Sequence, residues 1–179
     1  MQYCDTTADK KHTDDDFWHY ALQLYKQPGV SEQCLILQDK YGLNINLVLL
    51  CCFLGSTKTT IKKTLPALSN DPLLQQWQSQ STGAIRSVRR RVKDTFEGVA
   101  GQPSFYQQLL AVELSAEKIE QSLMLDIANN CRLSRSQQDS ITTNIRHYWQ
   151  QQHRSKQTPE ALNVVIQAAL KLLAETDHS

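Results

Sequence analysis

The segment Leu47-Val48-Leu49-Leu50-Cys51-Cys52-Phe53-Leu54 constrains this chain more than any other. It has no polar side, so as a helix it must be surrounded by other elements rather than laid against one. Asn44 or Asn46 supplies an N-terminal cap and Gly55 is expected to close the helix. Its eight residues fall short of the roughly 20 that cross a bilayer. The remaining sequence must therefore furnish a shell, and its apolar spacing says that the shell is helical.

Apolar residues recur at steps of three and four, and no stretch alternates as a half-buried strand does. Asp14, Asp15 and Asp16 open a first helix carrying Phe17, Tyr20, Ala21 and Leu24 on one face, stopped by Pro28-Gly29. A second runs from Val30 to Tyr41, with Gly42 as its stop. After the central helix, residues 56–70 read as a Thr/Lys/Ser-rich connector. Asp71-Pro72 then opens a long basic helix reaching Phe96, about 39 Å at the usual rise. Its stripe is Leu74, Trp77, Ser81, Ile85, Val88, Val92 and Phe96, and Gly83 is a point where it can break. The next helix carries Phe105, Leu109, Val112, Ala116, Ile119, Leu123 and Ile127. Ser134 with Gln137 resembles a capping box, and Thr158-Pro159-Glu160 opens the last helix. The expected fold is a single-domain all-α bundle of about six or seven helices, its long basic helix packed on the Glu-bearing one. The domain spans 14–175, between a flexible tail at 1–13 and a short one at 176–179.

The chain has 179 residues, 19 basic against 18 acidic, with 40% hydrophobic and 21% charged. That near-balance excludes a generally basic nucleic-acid coat and an acidic disordered chain. Five cysteines, Cys4, Cys34, Cys51, Cys52 and Cys131, are an odd number without C-x-x-C spacing and read as inert thiols of a reducing compartment. Residues 1–13 lack the apolar core of a secretory signal, so the expected location is cytoplasmic, with no membrane span.

Two charged rows stand out. Arg86, Arg89, Arg90 and Lys93 flank the Val88/Val92 stripe, and Glu113, Glu117 and Glu120 flank the Val112/Ala116/Ile119 stripe. If the helices pack antiparallel, the rows meet as a salt-bridge ladder that fixes register. Alternatively, the arginines face an anionic partner. A ferritin-like metal site needs Glu-x-x-His pairs that are missing here, so no metal and no cofactor is expected. No nucleophile elbow, phosphate loop, dinucleotide fingerprint or zinc-protease motif occurs, and no catalytic residue is assigned. His12, His153 and His178 fall in expected tails or loops, and Asp39 is placed to cap or bridge to the Asn44/Asn46 turn.

Several segments are familiar together. Phe17-Trp18-His19-Tyr20-Ala21-Leu22-Gln23-Leu24-Tyr25, Pro28-Gly29-Val30 and Cys34-Leu35-Ile36-Leu37-Gln38-Asp39 resemble the opening of a family of short uncharacterised proteobacterial proteins, a domain of unknown function. The two asparagines before the apolar helix, then Trp77, the basic run 86–93 and Glu113-Leu114-Ser115-Ala116-Glu117 resemble its later elements. The likeness covers about residues 15–125. Phe53 stands where the family has Trp, and the Gln/Ser/Thr stretch Gln78 to Thr82 stands where a more charged and aliphatic run is expected. The resemblance implies a helical fold and a bacterial setting, and no activity.

The functional expectation is a non-enzymatic protein-interaction or adaptor module. Interface energy concentrates on Trp, Tyr and Arg, so Trp77, Arg86, Arg89, Arg90 and Lys93 are its candidates. The alternative is a small-molecule binder or enzyme with a pocket between the first three helices, with Tyr25, Asp39, Asn44 and Asn46 as polar groups. Nucleic-acid binding through the basic helix is the third reading, disfavoured because the chain has no other basic excess. Partner identity and oligomeric state are left open by the sequence.

Overall fold

The computed structural model describes residues 12–131, 134–135 and 140–176. Helix α1, Asp14–Tyr25, starts in a capping box in which Thr13 Oγ1 accepts from the Asp16 amide at 3.2 Å. Thr13 and His12 belong to the expected tail, yet His12 lies edge-on to Phe53 at 5.1 Å and its carbonyl accepts from Asn129. Helix α2, Val30–Tyr41, ends at Gly42. Helix α3, Ile45–Ser56, is capped by Asn44, whose side chain accepts from the Leu47 amide at 3.0 Å.

Every residue of α3 from Asn46 to Gly55 is buried, as an all-round apolar helix requires. Helices α1, α7 (Gln102–Asn130), α8 (Ser140–His153) and α9 (Glu160–Thr176) pack around it, and α2 packs mainly on α9. Gly55 does not close α3 as expected; the helix continues to Ser56. The glycine serves packing instead, because a Cβ there would lie 2.5 Å from Ile141 N and Cα in α8, Ser140–His153. One missing side chain lets the two backbones approach, and α8 is the most extensive neighbour of α3.

The connector is more ordered than its composition suggests. Thr59–Thr60, β1, pairs antiparallel with Ser134–Arg135, β2, and Leu65–Asn70 forms α4. Asn144 of α8 organises this turn from below: its Oδ1 accepts from the Ile61 amide at 2.9 Å and its Nδ2 donates to the Thr59 carbonyl at 2.8 Å. A fully buried asparagine bonded to the backbone on either side of Thr60 explains how an apolar-poor segment holds its shape. Of the expected capping box, Ser134 belongs to β2 and Gln137 lies outside the described residues. His153 is no solvated loop residue: it stacks on Trp149 at 3.9 Å, edge-on to Tyr41.

The long basic helix is interrupted. Its parts are α5, Pro72–Trp77, a π turn over Gln78–Thr82, and α6, Gly83–Thr95. Asp71 caps the start, accepting from the Leu74 amide at 2.8 Å. At Gly83 the amide bonds Gln78 O, and a Cβ would meet that oxygen at 2.7 Å, so the glycine admits the wider turn. Helix α7, Gln102–Asn130, follows; α9, Glu160–Thr176, completes the bundle. Among the described residues no helix is long and apolar enough to cross a membrane.

Candidate functional site

Helices α6 and α7 form an antiparallel hairpin whose seam is ionic. Arg86 Nε donates to Glu113 Oε1 at 2.9 Å and its Nη2 donates to Glu117 Oε1 at 2.7 Å. Arg89 bonds the other oxygen of Glu113 through Nε, and its Nη1 reaches Tyr106 Oη at 3.4 Å. Glu113 is buried, with 8% of its side chain exposed, so its charge is tolerable only because two guanidinium groups grip it. Arg90 turns to α2 and bonds Asp39 Oδ1 at 2.6 Å. That bond, first among its causes, holds the Asp39 carboxyl below its ordinary range.

The third member of the glutamate row does something else. Glu120 is 2% exposed and accepts from Asn44 Nδ2 at 2.7 Å, while the Asn44 amide donates to Tyr148 Oη at 3.0 Å. The α3 cap is thereby fastened to both α7 and α8. Asn46 Oδ1 accepts from Gln121 Nε2 at 2.9 Å in the same buried layer. Burial, with Glu113 and Glu120 adding to it, raises the Glu117 carboxyl above the ordinary range against the pull of Arg86.

On one flank of this seam lies a cavity of about 330 Å³, between the hairpin and helices α1 to α3. Trp18, Leu22, Leu35, Leu49, Leu110 and Leu114 are among its apolar walls; Arg86, Arg89, Glu113, Glu117, Tyr25 and Gln121 supply polar groups. Tyr25 is the one expected pocket residue that lines it. Asp39 stands outside on the Arg90 pair, and Asn44 and Asn46 lie beneath, bound to Glu120 and Gln121.

The opposite flank corrects the expected packing of α7. Its inward residues are Glu113, Ala116, Glu120, Gln121, Met124, Leu125 and Ala128, whereas Phe105, Val112 and Ile119 are 50%, 51% and 46% exposed. The apolar stripe thus faces out over the first half of α7 and is turned by about one residue over the second. The cause is α6, which brings arginines to the seam: glutamates must turn inward to meet them, and the apolar side chains a third of a turn away go outward. Val88 on α6, 46% exposed, lies on the same outer flank, across the α6 circumference from Arg86 and Arg90. Phe96, Val99 and Phe105 surround the hairpin tip. Trp77 Nε1 donates to Ala116 O at 3.1 Å, anchoring the indole at the base of this flank. Lys93 is exposed.

Sequence reasoning missed Trp18, Leu35, Leu110, Leu114 and Gln121 as cavity residues. Leu110, Leu114, Glu117 and Gln121 share one face of α7 at steps of three and four, which was the available signal. Three cysteines are poor nucleophile candidates: Cys34, Cys51 and Cys52 are buried, and burial pushes the Cys34 thiol up to about 12 and the other two higher; Cys131 is partly exposed. Cys4 lies outside the described residues. Among the described residues no three His, Cys, Asp or Glu side chains are grouped to hold a metal.

Neither the curated proteins nor the solved structures contain a match to this chain. A family model does match, over residues 16–124, which is more than half of the sequence. That range holds every residue of the ionic seam, the cavity and the exposed stripe, and stops before α8 and α9. The chain belongs to this family, described as a protein of unknown function, DUF2390.

Proposed function

We propose that the protein is a non-enzymatic interaction module whose docking surface is the outer flank of the α6–α7 hairpin, and that a second copy of the chain occupies it. The observation that carries this reading is the exposed apolar stripe Phe105, Val112 and Ile119, continued by Val88 across the hairpin. Seven-residue spacing keeps the three α7 side chains in one row, as in helix pairs that seat knobs between neighbouring turns. The intervening positions on that flank are Gln108, Ala111 and Ser115, so the row is free of charge and has small gaps. Interface cores are depleted of charge in this way. An uncharged face meets its own copy without repulsion, and a two-fold pairing is the commonest form of self-association. Of the basic residues expected to meet a partner, Arg86 and Arg89 are committed to the glutamates of the seam, Arg90 pairs with Asp39 at the surface, and Lys93 is exposed. Trp77 remains a candidate, at the edge of the stripe.

Sedimentation velocity over a wide dilution series tests the proposal. The wild type is expected to sediment as a dimer that dissociates on dilution, and Ile119→Glu as a monomer with an unchanged helical circular dichroism spectrum. A wild type that is monomeric at every concentration, or an Ile119→Glu protein that still dimerises, overturns it.

A further inference from the structure

The near-balance of charge over the whole chain conceals a separation. No acidic residue stands between Asp39 and Asp71, and only Asp139 stands between Asp126 and Glu160, against nine Lys and Arg in the same two stretches. The rest of the chain is correspondingly acidic, with ten Lys and Arg against seventeen Asp and Glu. The fold joins the two basic stretches: β1 pairs with β2, and Asn144 of α8 bonds the backbone at Thr59 and Ile61. Farther along, Gln151 Nε2 donates to Ser69 Oγ at 2.8 Å, so the connector runs beside α8.

Exposed cations line this edge. Lys58 precedes β1, Lys62 and Lys63 follow it, and Arg146 lies on the outer face of α8. That face is Thr143, Arg146, His147 and Gln150 at steps of three and four, polar throughout and without an acid. Burial, and then the charge of Lys62, lower the His147 imidazole below its ordinary range, which sets that lysine against the same face. None of Lys58, Lys62, Lys63 and Arg146 forms an ion pair among the described residues, whereas Arg86, Arg89 and Arg90 are all bound to carboxylates.

Such a patch draws an anion, and its surroundings say which. Among the described residues no large apolar side chain is exposed over 56–70 or 140–159, and Tyr148 and Trp149 are buried. A membrane-seated surface needs an apolar face to insert, and a single strand needs exposed aromatic rings on which its bases stack. This edge has neither. Lysine, three of its four cations, is depleted from protein interfaces, whereas lysine, arginine, threonine and glutamine all bond the phosphate oxygens of a duplex.

We infer that the edge formed by Lys58, Lys62, Lys63 and Arg146 binds the phosphate backbone of a nucleic-acid duplex without reading its sequence. The site does not include the basic helix α6 and does not rest on self-association.

Fluorescence anisotropy tests this, with the full chain titrated into a short labelled DNA duplex, its RNA counterpart and the matched DNA single strand. At least one duplex is expected to bind more tightly than the single strand, and the tighter duplex names the source. With about four phosphates neutralised, affinity should fall about 100-fold between about 50 and 200 mM salt. Lys62→Ala/Lys63→Ala should weaken the duplex at least about tenfold and lower the slope of log affinity against log salt by about two. Arg146→Ala should lower that slope by about one, and Arg91→Ala, exposed on α6, should leave it unchanged. All variants are checked for helical content. No duplex binding at low salt, a single strand bound as tightly as the duplexes, or lysine and Arg146 variants that bind like wild type would each overturn the assignment. Tighter uptake by phosphatidylserine vesicles than by either duplex would overturn it in favour of a membrane, and an equal loss in Arg91→Ala in favour of α6.

Discussion

The seam between α3 and α8 and the seam between α6 and α7 are held by opposite chemistry. In the first, a glycine admits the Ile141 backbone among mostly apolar side chains, with Asn144 and Tyr148 as uncharged polar ties, so contact is set chiefly by shape. In the second, Arg86 and Arg89 grip Glu113 and Glu117, so contact is set by charge. The first leaves no apolar surface over. The second spends its inward positions on ions and leaves Val88, Phe105, Val112 and Ile119 in solvent. An ionic seam thus fixes the register of the hairpin and leaves its apolar stripe exposed.

This contrast can be broken at either seam. Gly55→Ala is expected to have the largest effect, about 3 kcal/mol of lost stability in chemical denaturation, because backbone rather than a flexible side-chain end meets the new methyl. A loss near zero would mean that α8 does not approach α3 this closely. Gly83→Ala should cost about 1 kcal/mol, although intrinsic propensity alone favours Ala by a similar amount, since the methyl meets the Gln78 carbonyl of the π turn. A stabilised variant would contradict that turn. Arg90→Ala should cost less than about 0.5 kcal/mol, its pair with Asp39 being exposed and screened by salt.

The smallest effect is a pH dependence at Glu117. Its carboxyl is raised above the ordinary value of 4.5 in the fold, chiefly by burial, so the folded chain takes up its proton before the unfolded chain does. As pH falls from neutral through the raised range toward 4.5, wild type should therefore gain stability relative to Glu117→Gln. Parallel denaturation of the two proteins across that range checks the sign, and a relative loss by wild type would contradict it.

Much of the architecture was legible because period and caps act locally. The acidic start at Asp14 to Asp16, the Asn44 cap, the Asp71-Pro72 start and the buried Leu47–Leu54 run all follow from short-range rules, whereas the Thr13 cap fell within the expected tail. The meeting of Arg86 and Arg89 with Glu113 and Glu117 was legible too, since antiparallel neighbours bring the rows together. What the spacing did not contain is which flank of α7 would be covered. A helical stripe marks a surface that can be buried, and burial depends on whether a neighbour arrives with apolar or ionic side chains. The strand pairing at Thr59–Thr60 was hidden for a related reason: its organiser, Asn144, lies more than eighty residues away.

Neighbouring residues on α7 provide the most direct measurement of the central claim, that the hairpin is ionic within and apolar without. Val112→Glu and Glu113→Val exchange the two characters at adjacent positions, and their stabilities can be compared by denaturation at a concentration where the chain is monomeric. Val112→Glu is expected to unfold within about 0.5 kcal/mol of wild type, as surface substitutions do. Glu113→Val should lose about 2 kcal/mol or more, because Arg86 and Arg89 are left in a partly buried seam without their shared carboxylate. The reverse order, with the Val112→Glu chain unfolding and Glu113→Val tolerated, would mean that the hairpin is apolar within and not ionic.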